Sequence, residues 1–520
     1  MSFVQSQAGR VWGVLSGFDR VRLRGTLRLL ANVAGLGRFL SHRRVLLKEF
    51  GAFAQEVRDR VQESVESVAA KSGKTPVFVA SPSIDKQQLV RKIVAEEGVA
   101  ENGLVAVLKA TDVCQGFDIF RNRDTRRLDL VARTRKCLHY YVYWQDRHLG
   151  LTQVRLQTWL PLNVHVVLNG REWLSRQLTA AKIGFERRDN CFAWVSDFER
   201  AQAFLDRQVA SDWPKLLDRL LRRACPVLST LWPDFPLYRY WSADQTEWAS
   251  DVCFRHGRDL ADLYPSLIDR ALTEFDSRDV MRFLGKLAAN EKRSFEQFQG
   301  AVVSDLVRRP EGVRIKHRVN GNSVKMYDKQ GSVLRVETTI NDPRDMKVFR
   351  RPEKQPDVKP RWLKLRKGVA DLRRRAIISQ RSNARYLDRL AMPDTTAPLK
   401  SLVDPLTKPV IDPIRRYRGL NVLAGEDSRL LAAVAAGEGI LNGFRNRDIA
   451  ARLFGDRPTD PKAARRQTTK VSRLLGLLRA HGLIYKVQHS HRWQLTKQGQ
   501  TLAALTTAAR HATSEKLLAA

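Results

Sequence analysis

A chain of 520 residues with 43% hydrophobic and 8% aromatic content has enough apolar surface for packed cores, which excludes a wholly disordered protein and suggests about three or four domains. Lys and Arg number 91 against 55 Asp and Glu, a formal charge of +36, which repels itself in a compact fold and favours a polyanion, so nucleic acid is the expected partner (DNA favoured, RNA possible). No apolar run reaches the ~18 residues of a membrane span, Arg10 interrupts any signal-like start, and a cytoplasmic location without a membrane partner is expected.

The fold class read from the pattern is an α+β or mixed α/β body with a β-meander, plus a C-terminal winged helix-turn-helix domain. In chain order, residues 1–72 read as an N-terminal helical segment. Phe39, Leu40, Val45, Leu46, Phe50, Phe53, Val57 and Val61 recur near the helical period there, although Phe18-Asp-Arg-Val-Arg-Leu-Arg-Gly25 alternates like a strand. Residues 73–196 read as an α/β domain, with a strand at 75–80, a helix at 84–97 and a second strand at 103–110. Further strands are expected at 115–120, 128–134, 152–159 and 164–168, then a helix at 172–182 ended by Gly184. Within this stretch His139-Tyr-Tyr-Val-Tyr-Trp144 suits core packing better than nucleotide stacking. The five cysteines, Cys114, Cys137, Cys191, Cys225 and Cys253, form neither a disulfide framework nor a CxxC pair, and Cys137-Leu-His139 reads as a buried thiol rather than a zinc half-site.

Residues 197–310 read as a mainly helical region punctuated by prolines. Inside it, Ser242 and Gln245 form a capping box for a helix over 241–251. Asp244, Glu247 and Asp251 then fall at i, i+3 and i+7 on one face, where they can hold Mg²⁺ or Mn²⁺ for phosphoryl chemistry, or pair with Lys and Arg.

Residues 311–390 read as a β-meander followed by a basic segment. Asn320-Gly321 is a two-residue hairpin turn pairing 319 with 322, and Lys329-Gln-Gly331 a three-residue turn pairing 328 with 332. Alternation puts Val313, Ile315, Val319, Val324, Met326, Leu334, Val336 and Ile340 on one face. The other carries Arg314, Lys316, Arg318, Ser323, Lys325, Tyr327, Arg335 and Glu337. As a binding platform the cations hold phosphates and Tyr327 stacks on a base. As a catalytic face, Tyr327 attacks a phosphodiester and Glu337 helps hold a metal. A solvated charged face is the third reading. The string Lys325-Met-Tyr-Asp-Lys329 with Leu334-Arg-Val-Glu337 resembles a "YDK…RxE" stretch of rolling-circle replication initiators, which implies metal-dependent DNA strand cleavage. Their His-hydrophobe-His metal motif is incomplete here, since Asn163-Val-His165 lacks the first histidine.

Residues 391–425 read as a proline-containing linker, and 426–510 as a winged-helix domain. Helices are expected at 428–436, at 447–454 with Asn446 as cap and Gly455 as stop, and from the Asp460-Pro461 start signal onward. Val471, Leu474, Leu475 and Leu478 make one apolar stripe, leaving Arg465, Arg466, Thr469, Lys470 and Arg473 for groove edges and phosphates. Two short strands, 483–487 and 492–495, form a wing whose Lys486, His489, His491 and Arg492 can touch the backbone. The Gly-Leu-Ile step at 482–484 and Thr-Lys-Gln-Gly at 496–499 resemble MarR-type winged helices.

The whole chain is similar to an uncharacterised multi-copy bacterial family with a basic N-terminal body and a winged-helix tail, through Val154-Arg-Leu-Gln-Thr-Trp-Leu-Pro161, Asn169-Gly-Arg-Glu-Trp-Leu174 and Tyr327-Asp-Lys329. Multi-copy occurrence implies a mobile element. The expected function is therefore a DNA-binding protein of such an element, transposase-like or replication-initiator-like. The alternatives are an RNA-binding protein of a stable ribonucleoprotein and a non-enzymatic winged-helix transcription regulator. Enzymatic activity, if present, would be metal-dependent strand cleavage or transfer.

Overall fold

The computed structural model describes all residues except 1–2, 99–101, 236, 274, 276, 285–301, 310–311, 345, 353–356, 392–398, 413–414, 436–443, 457, 488–490 and 512–520. It is mixed α/β with one large mixed sheet. The chain divides into a larger unit, Gln7–Leu272 with Ser277–Leu390, and a smaller one, Met1–Ser6 with Thr273–Asp276 and Ala391–Ala520. No helix among the described residues is long and apolar enough to cross a membrane.

The larger unit is built on strands β1 (Val11–Leu27), β2 (Val77–Phe78), β3 (Leu104–Arg121), β4 (Leu128–Asp146), β5 (Gly150–Gln157) and β6 (Val164–Asn169), a separate hairpin β7 (Phe185–Arg188) and β8 (Cys191–Val195), and then β9 (Arg239–Phe254), β10 (Val302–Arg309), β11 (Gly312–Val319), β12 (Asn322–Lys329) and β13 (Val333–Ile340). Eleven of them form one sheet in the order β10-β11-β12-β13-β9-β1-β6-β5-β4-β3-β2, antiparallel except for the β2–β3 pair. The strand-like alternation at 18–25 is the middle of β1, so the segment 1–72 is not wholly helical. There Val21, Leu23 and Leu27 enter the main core, and Arg20, Arg22 and Arg24 take the other face.

The largest departure from expectation is 241–251, which is strand and not helix. β9 lies between β1 and β13 and is covered on both faces, so its apolar residues do not alternate and the helix-like spacing of its acids carries no weight. Two ladders of hydrogen bonds outweigh one capping box.

One face of the sheet packs on the main core. The helix Leu372–Leu390 crosses it, with Asn383 Nδ2 donating to Trp248 O at 3.1 Å and Val336 O at 2.9 Å. The helix Phe50–Lys71 buries Val57, Val61 and Val65 in the same core as Tyr140 and Val142 of β4. The opposite face is covered at two places. The helices Gly170–Ala180 and Phe198–Val209 pack with the β7–β8 hairpin over Leu15, and the helix Lys86–Glu97 packs over Tyr141 and Tyr143. Between these covers the face stays polar and partly open.

In the smaller unit, the stretch read as a linker holds a helix, Leu399–Thr407, and a short hairpin, Val410–Asp412 with Arg415–Tyr417. Val403, Leu406, Leu420 and Val422 join its core, so this stretch is folded rather than connecting. Helices Gly425–Ala435, Asn446–Phe454 and Pro461–Ala480 follow, then strands Ile484–Lys486 and Trp493–Leu495 and the helix Lys497–His511. Phe444 pairs with Trp493 and adds a third strand position to the hairpin. The Asp460 carboxylate accepts from the Lys462 and Ala463 amides, as the start signal implies. The second helix starts one residue early: Arg445 is the cap position, and its amide donates to the Asp448 carboxylate at 2.8 Å.

Candidate nucleic-acid interface

The β-meander sorts its residues onto the two expected faces. The Asn320-Gly321 turn pairs Val319 with Asn322 and Lys316 with Lys325. The second turn is Gln330-Gly331-Ser332, with Lys329 opposite Val333, so Lys325 faces Glu337 and Tyr327 faces Arg335. The register differs from the expected one by two residues, which preserves the face of every side chain.

The polar face is not uniformly solvated. Arg335 is 1% exposed and Glu337 0%. Arg335 binds Asp251 through Nε at 2.6 Å and Nη2 at 2.8 Å, Asp19 through Nη1 at 2.8 Å, and the Asn190 carbonyl of the β7–β8 turn at 2.6 Å. Every face of that guanidinium is spoken for, so Arg335 is a structural group and not a phosphate ligand. Lys325 Nζ lies 2.7 Å from Glu337 Oε1, and Tyr327 donates to Glu337 Oε2 at 3.2 Å. Burial pushes the Glu337 carboxyl up against the pull of Lys325. Burial and the Glu337 carboxylate push the Tyr327 phenol well above its ordinary value, which leaves it a donor rather than a ready nucleophile.

Arg314 and Lys316 are half-buried on this face, and Arg318 is exposed and pairs with Asp305 at 2.8 Å. The Lys316 ammonium is lowered by burial and then by Lys325, Arg318 and Arg314 around it, a crowd of like charges that a bound anion would relieve.

The three acids expected to share a metal are dispersed. Asp244 occupies a bulge in β9, pairs with Arg24 at 2.8 Å and lies 3.7 Å from the uncharged imidazole of His165. Asp251 is fully buried between Arg335 and Arg171, the latter at 3.1 Å. Seven residues of strand separate them by roughly 23 Å at the usual rise, too far for one ion. Only Glu247 reaches a cluster: it lies with Glu337 and with Asp19, which sits in a bulge of β1, and one oxygen from each falls within 4.8 Å of the others. Each is already engaged, Asp19 by Arg335 and Asn190, Glu337 by Lys325, and Glu247 by Gln245 at 3.0 Å. As it stands the cluster is an ion-pair network, and Mg²⁺ or Mn²⁺ would have to displace Lys325. A second group, Cys114, Cys137 and His139, also lies within 4.8 Å, with the sulfurs 2.7 Å apart.

In the smaller unit, Arg465, Arg466, Thr469, Lys470 and Arg473 are all exposed on the helix Pro461–Ala480, and Val471, Leu474, Leu475 and Leu478 are buried beneath it. Lys470 pairs with Glu426 at 2.6 Å, whereas Arg465, Arg466 and Arg473 have no acid partner among the described residues. Lys486 and His491 are exposed at the hairpin and Arg492 is half-buried, while His489 lies outside the described residues.

Sequence reasoning passed over two sets of cations. Arg20, Arg22 and Arg24 line the polar face of β1, and the every-second-residue spacing that reveals them was visible as strand alternation. Arg121, Arg123, Arg126, Arg127 and Arg133 are exposed along the far end of the β3–β4 hairpin. Comparison with known protein families, with curated proteins and with solved structures finds no match to this chain.

Proposed function

We propose that this chain is a nucleic-acid-binding protein whose principal ligand is duplex DNA, serving a mobile element in a transposase-like or replication-initiator-like role. The observation that carries the reading is the exposed row Arg465, Arg466, Thr469 and Arg473, set on a helix whose opposite stripe is buried. A helix, the bridging strand position Phe444, two further helices and a hairpin, in that order, support a winged-helix reading of the smaller unit, with Pro461–Ala480 as the helix that enters the major groove. The partly open polar face of the larger unit, with Arg22, Arg314 and Lys316, offers a second phosphate surface. Strand cleavage by Tyr327, with Glu337, Glu247 and Asp19 holding Mg²⁺ or Mn²⁺, would require Lys325 to leave Glu337 and the raised phenol to give up its proton.

The test is fluorescence anisotropy of a labelled duplex across a salt series. Tight binding at low salt with a steep linear fall in log affinity is expected, about 0.9 in slope per phosphate contact. A chain that leaves the duplex unbound at low salt overturns the reading. A discrete RNA that co-purifies in preference to DNA assigns the cations to a ribonucleoprotein instead.

A further inference from the structure

Two short strands of the larger unit, Lys347–Arg350 and Arg361–Lys364, form a hairpin separate from the main sheet. Its register pairs Lys347 with Lys364, Val348 with Leu363, Phe349 with Trp362 and Arg350 with Arg361. Alternation turns Val348 and Leu363 inward, and Val348 packs with Ile340, Met346 and Leu365. The hairpin is thus anchored by its inner side.

Its outer side carries Lys347, Phe349, Trp362 and Lys364. Phe349 is 62% exposed and Trp362 65% exposed, and their rings meet edge to face at 5.8 Å. Lys347, Lys364 and the neighbouring Arg361 are exposed and have no acid partner among the described residues. Two large aromatic rings held side by side in water are surface that a folded chain ordinarily covers, and nothing among the described residues covers them.

We infer that this hairpin is a binding site for single-stranded DNA, in which bases stack on Phe349 and Trp362 while the adjoining phosphates reach Lys347 and Lys364. Every base has a π-face, so a pair of exposed rings accepts any sequence, and cations at the ends of the pair match the charge that accompanies each base. A protein face of the usual kind would bring acids or apolar side chains to this site, and the unpaired cations favour the polyanion. The inference rests on the reading of the chain as a nucleic-acid binder and adds a strand state to it: duplex belongs to the helix Pro461–Ala480, an opened strand to this hairpin.

The experiment uses the full chain and two labelled probes, an oligo(dT) of about 20 nucleotides and a duplex of matched length, read by anisotropy. The variant Phe349→Ala/Trp362→Ala is expected to weaken oligo(dT) binding about tenfold or more and leave duplex binding within about twofold. Trp362→Phe alone should keep most of the affinity. Lys347→Ala/Lys364→Ala should lower the single-strand salt slope by about 1.4, from about 0.7 per contact. Unaltered thermal unfolding of the variants excludes misfolding. Oligo(dT) binding that survives loss of both rings overturns the inference, as does capture of phosphatidylglycerol vesicles that the same variant abolishes. A chain that binds duplex but not oligo(dT) ends this inference alone, and one that binds neither ends the parent reading too.

Discussion

The two units dispose of their surplus cations in opposite ways. In the larger unit, Arg335 and Arg171 lie inside the protein and are consumed by Asp251, Asp19 and backbone carbonyls. In the smaller unit, Arg465, Arg466 and Arg473 stand in solvent with no acid among the described residues. Arginine serves both ends because its guanidinium is a rigid fork of donors: buried, it satisfies several acceptors at once, and exposed, it suits phosphate. The difference teaches that net charge alone overstates the binding surface. A cation counts toward a polyanion only where no neighbouring element brings an acid to it.

The sharpest way to break this contrast is to truncate one arginine of each kind. Arg335→Ala leaves buried Asp251 with Arg171 alone and Asp19 with no cation, only the Asn190 amide, and the larger unit should lose about 3–5 kcal/mol in denaturant titration. Arg466→Ala removes nothing that the fold uses and should change stability by less than about 0.5 kcal/mol. Equal losses from the two would erase the distinction.

Acid titration separates the units next. Burial, with Arg155 and Arg24 nearby, lowers the His165 imidazole to about 3; burial and Arg155 lower His139 to about 4, and burial lowers His317 to about 4. Folded, these rings refuse protons that the unfolded chain accepts below about pH 6.5, so the unfolded state binds more protons and stability falls as pH drops from there toward 4. Each tenfold loss of proton affinity corresponds to about 1.4 kcal/mol, so a loss of several kcal/mol in the larger unit is expected. Hydrogen exchange resolved by segment at pH 7 and pH 4.5 is the measurement, and strands β4, β6 and β11 should lose protection. Protection that holds in those strands at the lower pH would show that the histidines are not the acid-sensitive groups.

A triple change, Arg465→Ala with Arg466→Ala and Arg473→Ala, should flatten the duplex salt slope by about 2–3, at about 0.9 per lost phosphate contact, without lowering the unfolding midpoint. Tyr327→Phe removes one hydrogen bond to Glu337 and should cost about 1 kcal/mol, well below the loss from Arg335→Ala. If a Mg²⁺-dependent nicking activity is present, persistence of nicking in that variant removes Tyr327 as the nucleophile.

What could be read from the chain, and what could not, follows the range of the forces involved. Period-two alternation placed Lys325, Tyr327, Arg335 and Glu337 on one face, and even a turn displaced by one residue left that sorting intact. The stripe Val471, Leu474, Leu475 and Leu478 was equally legible, because helix period alone decides it. β9 was not legible: a strand covered on both sides loses its alternation, and Asp244, Glu247 and Asp251 then mimic helical spacing. The carboxylate group Asp19, Glu247 and Glu337 draws on three strands distant in sequence, and two register shifts in the β1–β9 pair, which no local pattern announces, bracket Asp19 and Asp244.

Composition and periodicity by themselves determined that this chain is basic, that it packs apolar cores, and which side chains share a face, since those properties depend on neighbours a few residues away. Only the tertiary structure decided that the β7–β8 turn closes over Arg335 while the cations of Pro461–Ala480 stay in water. Burial sums contributions from segments far apart in the chain, and the Asn190 carbonyl that completes the Arg335 shell comes from 145 residues before it.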